Sequence, residues 1–180
     1  MERSTVLIAV FAALIAALGL VPKFTLAFGV PITAQSLGIM LCGTVLGAKR
    51  GGAAALLFVV LTLAGLPLLA GGRGGLGLLS GPSVGFIIGF PIAAFVTGWV
   101  MERMKTNVLT SSFIASFMGG VIALYIPGVI GMALVLDKSF VAAFGLVSAF
   151  VLGDLVKVVI CGFVTQAIYR AQPDKVLSRA

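Results

Sequence analysis

Three charged side chains in this sequence stand where charge is costly to hold. Asp154 and Lys157 lie three residues apart inside the apolar run from Phe140 to Tyr169. On a helix they share one face and can pair. Each would cost about 2.5–3.5 kcal/mol at the centre of a bilayer, a cost that two apolar residues would remove. The third, Arg73, sits among Gly71, Gly72, Gly74 and Gly75 in a long loop from Gly65 to Phe86. Glycine tolerates close approach of backbone or ligand, so Gly72 and Gly74 let the loop fold tightly while presenting one guanidinium. In a dry pocket these three charges, +1 in sum, favour a ligand carrying one negative charge. Arg73 offers a planar fork for a carboxylate, Asp154 accepts from N–H groups, and Lys157 donates to a carbonyl. The chemistry is recognition, and it suits a small carboxylate that bears an amide or urea group. Thr33, Gln35, Ser80, Ser83 and Tyr125 are candidates for additional neutral hydrogen bonds.

Catalytic chemistry is poorly served. The chain has no histidine, which excludes His-based catalysis and His metal sites. Cys42 and Cys161 sit in apolar runs without CxxC spacing and read as packing residues. Neither a metal nor a cofactor is expected. Gly47-Ala48-Lys49-Arg50-Gly51-Gly52 lacks the spacing of a phosphate loop, so ATP hydrolysis would have to come from elsewhere. No paired carboxylates suggest a protease, and the expectation is a protein that is not an enzyme.

The elements that must position these groups are membrane helices. Hydrophobic residues make up 61% of the 180 and charged ones 9%, with a mean hydropathy of +1.25. That composition places the chain among multi-span membrane proteins. The fold class expected is all-α, one membrane-embedded domain over 1–180, with six transmembrane helices and a long folded outer loop between the third and fourth. Apolar runs place the spans at about 5–21, 32–48, 51–69, 84–101, 108–136 and 140–169. Pro127 should kink the fifth. The first run resembles a signal peptide but lacks a cleavage site before a polar mature region, and is expected to remain. Within it, Ala9, Ala13 and Ala17 repeat every fourth residue, with Ala12 and Ala16 in a parallel row. Such small-residue stripes admit a second helix, from this chain or from a partner.

The net charge of +7 then reads as topology, not as a nucleic-acid signal. With the N-terminus inside, Arg3, Lys49, Arg50, Arg103, Lys105, Arg170, Lys175 and Arg179 fall on the cytoplasmic side, and Lys23, Arg73 and Lys138 outside. This bias puts both termini in the cytoplasm. The glycine loop faces out, and a ligand would arrive from that side.

Several segments are specific enough to suggest kinship. Val30-Pro31-Ile32-Thr33-Ala34-Gln35-Ser36-Leu37-Gly38, the turn Leu46–Gly51, Gly65-Leu66-Pro67, Ala70–Leu76, Gly81-Pro82, Gly85–Pro91 and Gly153-Asp154-Leu155-Val156-Lys157 together resemble the BioY family. Those proteins are the biotin-binding S components of energy-coupling-factor (ECF) vitamin transporters. The likeness covers nearly the whole chain, although Gly81-Pro82-Ser83-Val84-Gly85 departs from the GPTGG that related chains often carry. It implies a six-helix S component in the plasma membrane, working with a transmembrane coupling protein (the T component) and two cytoplasmic ATPase subunits. Biotin would offer its carboxylate to Arg73 or Lys157 and its ureido N–H groups to Asp154. Phe28 and Leu76 would cover its apolar parts. The rival readings are an S component for another small anion, a stand-alone or ion-coupled carrier for biotin or another small monocarboxylate, and a purely structural membrane protein.

Overall fold

The computed structural model describes residues 2–25 and 30–179. Helix α2, Gln35–Leu46, stands at the centre, with every residue but Leu37 buried. Around it pack α1 (Glu2–Leu18), α3 (Ala48–Leu63), α4 (Val84–Arg103), α5 (Val108–Phe117) and α7 (Phe140–Ala171). A π-helical turn, Met118–Ala123, joins α5 to α6 (Leu124–Val135) in one continuous rod. Two short strands, β1 (Phe24–Thr25) and β2 (Pro31–Ile32), pair antiparallel between α1 and α2. Among the described residues, three helices are long and apolar enough to cross a membrane: Val84–Arg103, Val108–Val135 and Phe140–Ala171. Large apolar side chains such as Ile88, Ile126, Leu134 and Leu152 stand exposed along them, as a lipid environment allows and water would not.

Helix α2 begins three residues later than its apolar run suggested, because Pro31 and Ile32 belong to β2. It also ends earlier, and α3 follows after a single residue. Gly47, at φ +84°, breaks the rod, so Lys49 and Arg50 open α3 and do not form a separate connection. The break orphans two groups that a continuous helix would have joined, the Thr44 carbonyl and the Ala48 N–H. Ala48 N donates to Glu102 Oε1 at 2.8 Å, and the Thr44 carbonyl accepts from Ser178 Oγ.

The polar sequence after Arg170 folds back as two short 3₁₀ turns, Pro173–Lys175 and Leu177–Arg179. Val176 is fully buried and Ser178 nearly so. Arg179 donates to the Met104 carbonyl just past the end of α4.

Proline and glycine shape the rest. Pro127 has no N–H to give the Ala123 carbonyl four residues back, and the π-helical turn ends at that residue. Helices α4 and α6 cross at Gly85 and Gly131, where a Cβ on Gly85 would overlap the Pro127 carbonyl. This is close small-residue packing of the kind membrane helices use.

Candidate ligand-binding site

The cavity of interest opens where β2, the start of α2, the glycine loop and α7 meet. Its lining includes Thr33, Gln35 and Ser36 from one side, Arg73 and Ser83 from the loop, and Asp154 and Lys157 from α7. Phe86, Ile87, Phe90, Leu124 and Phe150 complete it with apolar walls. It encloses about 570 Å³ counting its open mouth, of which about 70 Å³ admits the centre of a water molecule. The space is narrow.

Asp154 anchors it. The residue is 5% exposed, and its carboxylate is held from three helices. Oδ1 accepts from Lys157 Nζ at 2.8 Å and from Ser36 Oγ at 3.0 Å, and Oδ2 accepts from Tyr125 OH at 2.6 Å. Lys157 Nζ also donates to Ser36 Oγ at 2.9 Å, closing a triangle. A carboxylate has about four lone-pair sites and an ammonium three N–H groups. Among the described residues, one acceptor site on Asp154 and one donor on Lys157 therefore remain for a ligand. The helix spacing that makes them a pair also leaves both facing the same space.

Arg73 stands across the cavity. Its backbone forms an isolated antiparallel bridge with Leu69, and between them Gly71 and Gly72 turn the chain at φ +83° and +69°. Glycine takes such angles without strain. Nε donates to the Ala70 carbonyl at 3.3 Å, which leaves the terminal fork of the guanidinium without a partner among the described residues. Among the described residues Arg73 has no carboxylate partner. Its half-buried position pulls its pKa below the ordinary value through desolvation, and an incoming carboxylate would relieve that cost.

Ser83 supplies a further group. Its hydroxyl, on a residue 8% exposed, has no hydrogen-bond partner among the described residues. Buried hydroxyls are rarely left so, and a ligand in the cavity would satisfy it. Gln35 is a different case, because its amide is already engaged. Nε2 donates to the Ile15 and Leu68 carbonyls at 3.2 and 3.0 Å, and Oε1 accepts from Ala70 N at 3.1 Å. It ties the glycine loop to α1 and α2. Thr33 Oγ1 accepts from Gln35 N at 3.2 Å at the entry to α2.

The other residues singled out in the sequence fall elsewhere. Tyr125 reaches the cavity through its bond to Asp154. Gly72 is exposed in the turn and Gly74 backs onto the Leu66 carbonyl, so both shape the loop and neither lines the cavity. Leu76 is exposed at the start of the loop's 3₁₀ turn, as is Ser80 at its end. Phe28 lies outside the described residues. Ala9, Ala13 and Ala17 form an exposed row on α1, while Ala12 is buried. The sequence reading passed over Ser36 and the aromatic walls. Lone serines and phenylalanines in an apolar chain carry no positional signal. Ser36 stands beside Gln35 in the segment Val30–Gly38, where residue type alone does not tell the two apart.

Comparison with known proteins bears on what this cavity serves. The family model described as "BioY family" matches residues 2–174. The chain belongs to the BioY family. A protein named biotin transporter BioY from Rhodobacter capsulatus is 48% identical over 189 residues, covering 99% of this chain and 100% of the relative. Its namesake from Rhizobium etli is 43% identical, covering 95% of each. Among solved structures, the S-component for biotin from an ECF-type ABC transporter superposes with a TM-score of 0.88 at 28% identity, covering 94% of this chain and 92% of that one. This BioY-family chain is thus a membrane protein of the transporter type, not an enzyme.

Proposed function

We propose that this chain is the biotin-capturing S component of an ECF-type transporter, and that the cavity between Arg73 and the Asp154–Lys157 pair is its biotin site. The observation that carries the reading is the unspent hydrogen-bonding capacity around one narrow, apolar-walled space. Asp154 has an acceptor site for a ureido N–H, and Lys157 a donor for the ureido carbonyl. The free fork of Arg73 suits the carboxylate, and Ser83 is a further partner. Phe86, Phe90 and Phe150 would cover the fused rings and the aliphatic chain. Arg73 and Lys157 against Asp154 leave +1, which a monoanionic ligand neutralises.

Capture from the outer face, six membrane crossings, plasma-membrane location and cytoplasmic termini are part of the same proposal and rest on the distribution of Lys and Arg. Import would be driven by two partner ATPase subunits through a T component, since the chain has no nucleotide-binding motif of its own. The exposed Ala9, Ala13 and Ala17 row is the surface on which a T-component helix would pack. Exchanging Ala13 for Trp should abolish co-purification with the T component while biotin binding persists. Intact assembly would remove that row from the interface.

The test of the site is calorimetric titration of the purified chain in detergent with biotin and with biotin amide. Biotin should bind, and the amide, which lacks the anion, should bind far more weakly. Equal affinities would overturn the role given to Arg73, and no binding of biotin would overturn the reading itself.

A further inference from the structure

We propose that Lys23, which lies outside the cavity, is the positioning residue for Arg73. The inference rests on the reading that Arg73 takes the carboxylate of the ligand. Its basis is the backbone of one residue. Ala70, 1% exposed, donates its N–H to Gln35 Oε1 at 3.1 Å. Its carbonyl accepts from Arg73 Nε at 3.3 Å and from Lys23 Nζ at 3.3 Å. A carbonyl oxygen has two lone pairs, and here both are directed to cations. Both backbone polar groups of Ala70 are used, and two of the three bonds come from outside the loop.

The surroundings show that the lysine is built in. The Lys23 side chain lies along Gly71, where a Cβ would run into its ammonium group. Gly71 is therefore required twice, for its φ of +83° and for the room it leaves Lys23. On the other side, Lys23 directly precedes β1, whose pairing of Phe24 with Ile32 ties it to the strand leading into α2. The glycine turn is thus fastened from α2 by Gln35 and from the α1–β1 connection by Lys23. Between those fastenings hangs the carbonyl that orients the guanidinium.

Two cations on one oxygen repel each other, and among the described residues neither has a carboxylate partner. An anion bound by the free fork of Arg73 would relieve that repulsion. Lys23 would then set how well Arg73 is oriented before the ligand arrives, which is a form of preorganisation.

The experiment measures biotin and biotin amide affinities for the intact chain, Lys23→Met, Lys23→Arg, Arg73→Met and the double variant Lys23→Met/Arg73→Met. Lys23→Met should weaken biotin roughly tenfold, the scale of one positioning hydrogen bond, and leave biotin amide unchanged. Lys23→Arg, which keeps a cationic donor, should recover most of the loss. In the Arg73→Met background, removing Lys23 should cost nothing further. Equal losses for both ligands would mean a general disruption of the fold. An undiminished loss in the Arg73→Met background would mean that Lys23 acts through its own charge. Either result overturns the proposal. Amide hydrogen exchange without ligand gives a second readout, independent of Arg73's partner. The Arg73 and Gly75 N–H groups, which bond to the Leu69 and Thr62 carbonyls, should exchange faster in Lys23→Met. If the intact chain binds biotin and its amide alike, the role of Arg73 fails, and exchange alone then decides whether Lys23 fastens the turn. Unchanged exchange would refute it.

Discussion

The two ends of the α2–α7 seam use the same helices to opposite purposes. At one end Ser36 meets Asp154 and Lys157. At the other, Thr44 Oγ1 bonds Thr165 Oγ1 at 2.8 Å, with Cys161 Sγ at 3.5 Å and Ser178 beneath. Both ends are buried, and both place a small hydroxyl of α2 against α7. The difference lies in what remains unused. The Thr44 end is neutral, and its hydroxyls are spent on one another and on the Thr44 carbonyl, so it serves to join helices. The Asp154 end carries charge, retains free donors and acceptors, and faces open space. Buried polarity by itself does not mark a site. Buried polarity with surplus capacity beside a cavity does.

Asp154→Asn would test that contrast most severely. It leaves Lys157 without its anion, removes the acceptor for the ureido N–H groups, and should weaken biotin by about 2–5 kcal/mol, roughly 30- to several-thousand-fold, by titration. The double variant Asp154→Leu/Lys157→Met should recover folded yield, as apolar replacements of buried pairs often do, yet remain unable to bind. Recovered binding would make the two ends equivalent and dissolve the comparison.

Ser36→Ala sharpens it. That change removes a donor to Asp154 and an acceptor from Lys157 together. Loss of a hydrogen bond to a charged group costs about 1.5–3 kcal/mol, hence roughly 10- to 150-fold in affinity. The smallest effect belongs to the other end. Thr44→Val should cost about 1 kcal/mol of stability in thermal unfolding, because Thr165 loses its partner, and Thr44→Val/Thr165→Val should be close to neutral. Neither should move the biotin affinity, and a large change there would show that the seam acts as one unit.

Much of the site was legible in the sequence because charge in an apolar run has few benign explanations. Asp154, Lys157 and Arg73 could be read by type and spacing alone. Which of two adjacent polar residues on α2 meets α7 could not be read, because that depends on how the helix is rotated among its five neighbours. Gln35 and Ser36 therefore exchanged their expected importance. Gln35 holds the loop, and Ser36 joins the charged cluster. The helices were visible as apolar runs, but their ends were not. Nothing local announces that Thr44 and Ala48 would find partners in Ser178 and Glu102, and hence that Ser178 of the polar tail would be buried. The break at Gly47 creates that demand, and distant residues meet it.

The π-helical turn Met118–Ala123 has a genetic consequence. A π turn, bonded i→i+5, takes up an extra residue within one wide turn, so the rod beyond it keeps its register, and Tyr125, two residues past the turn, donates to Asp154 from there. Deletion of a single codon within the turn would regularise the rod and leave the phenol at the carboxylate, whereas a further residue that the turn could not absorb would carry it about 100° around the axis. A gain of one residue here would then act as a change of ligand contact, without any substitution at Tyr125 itself.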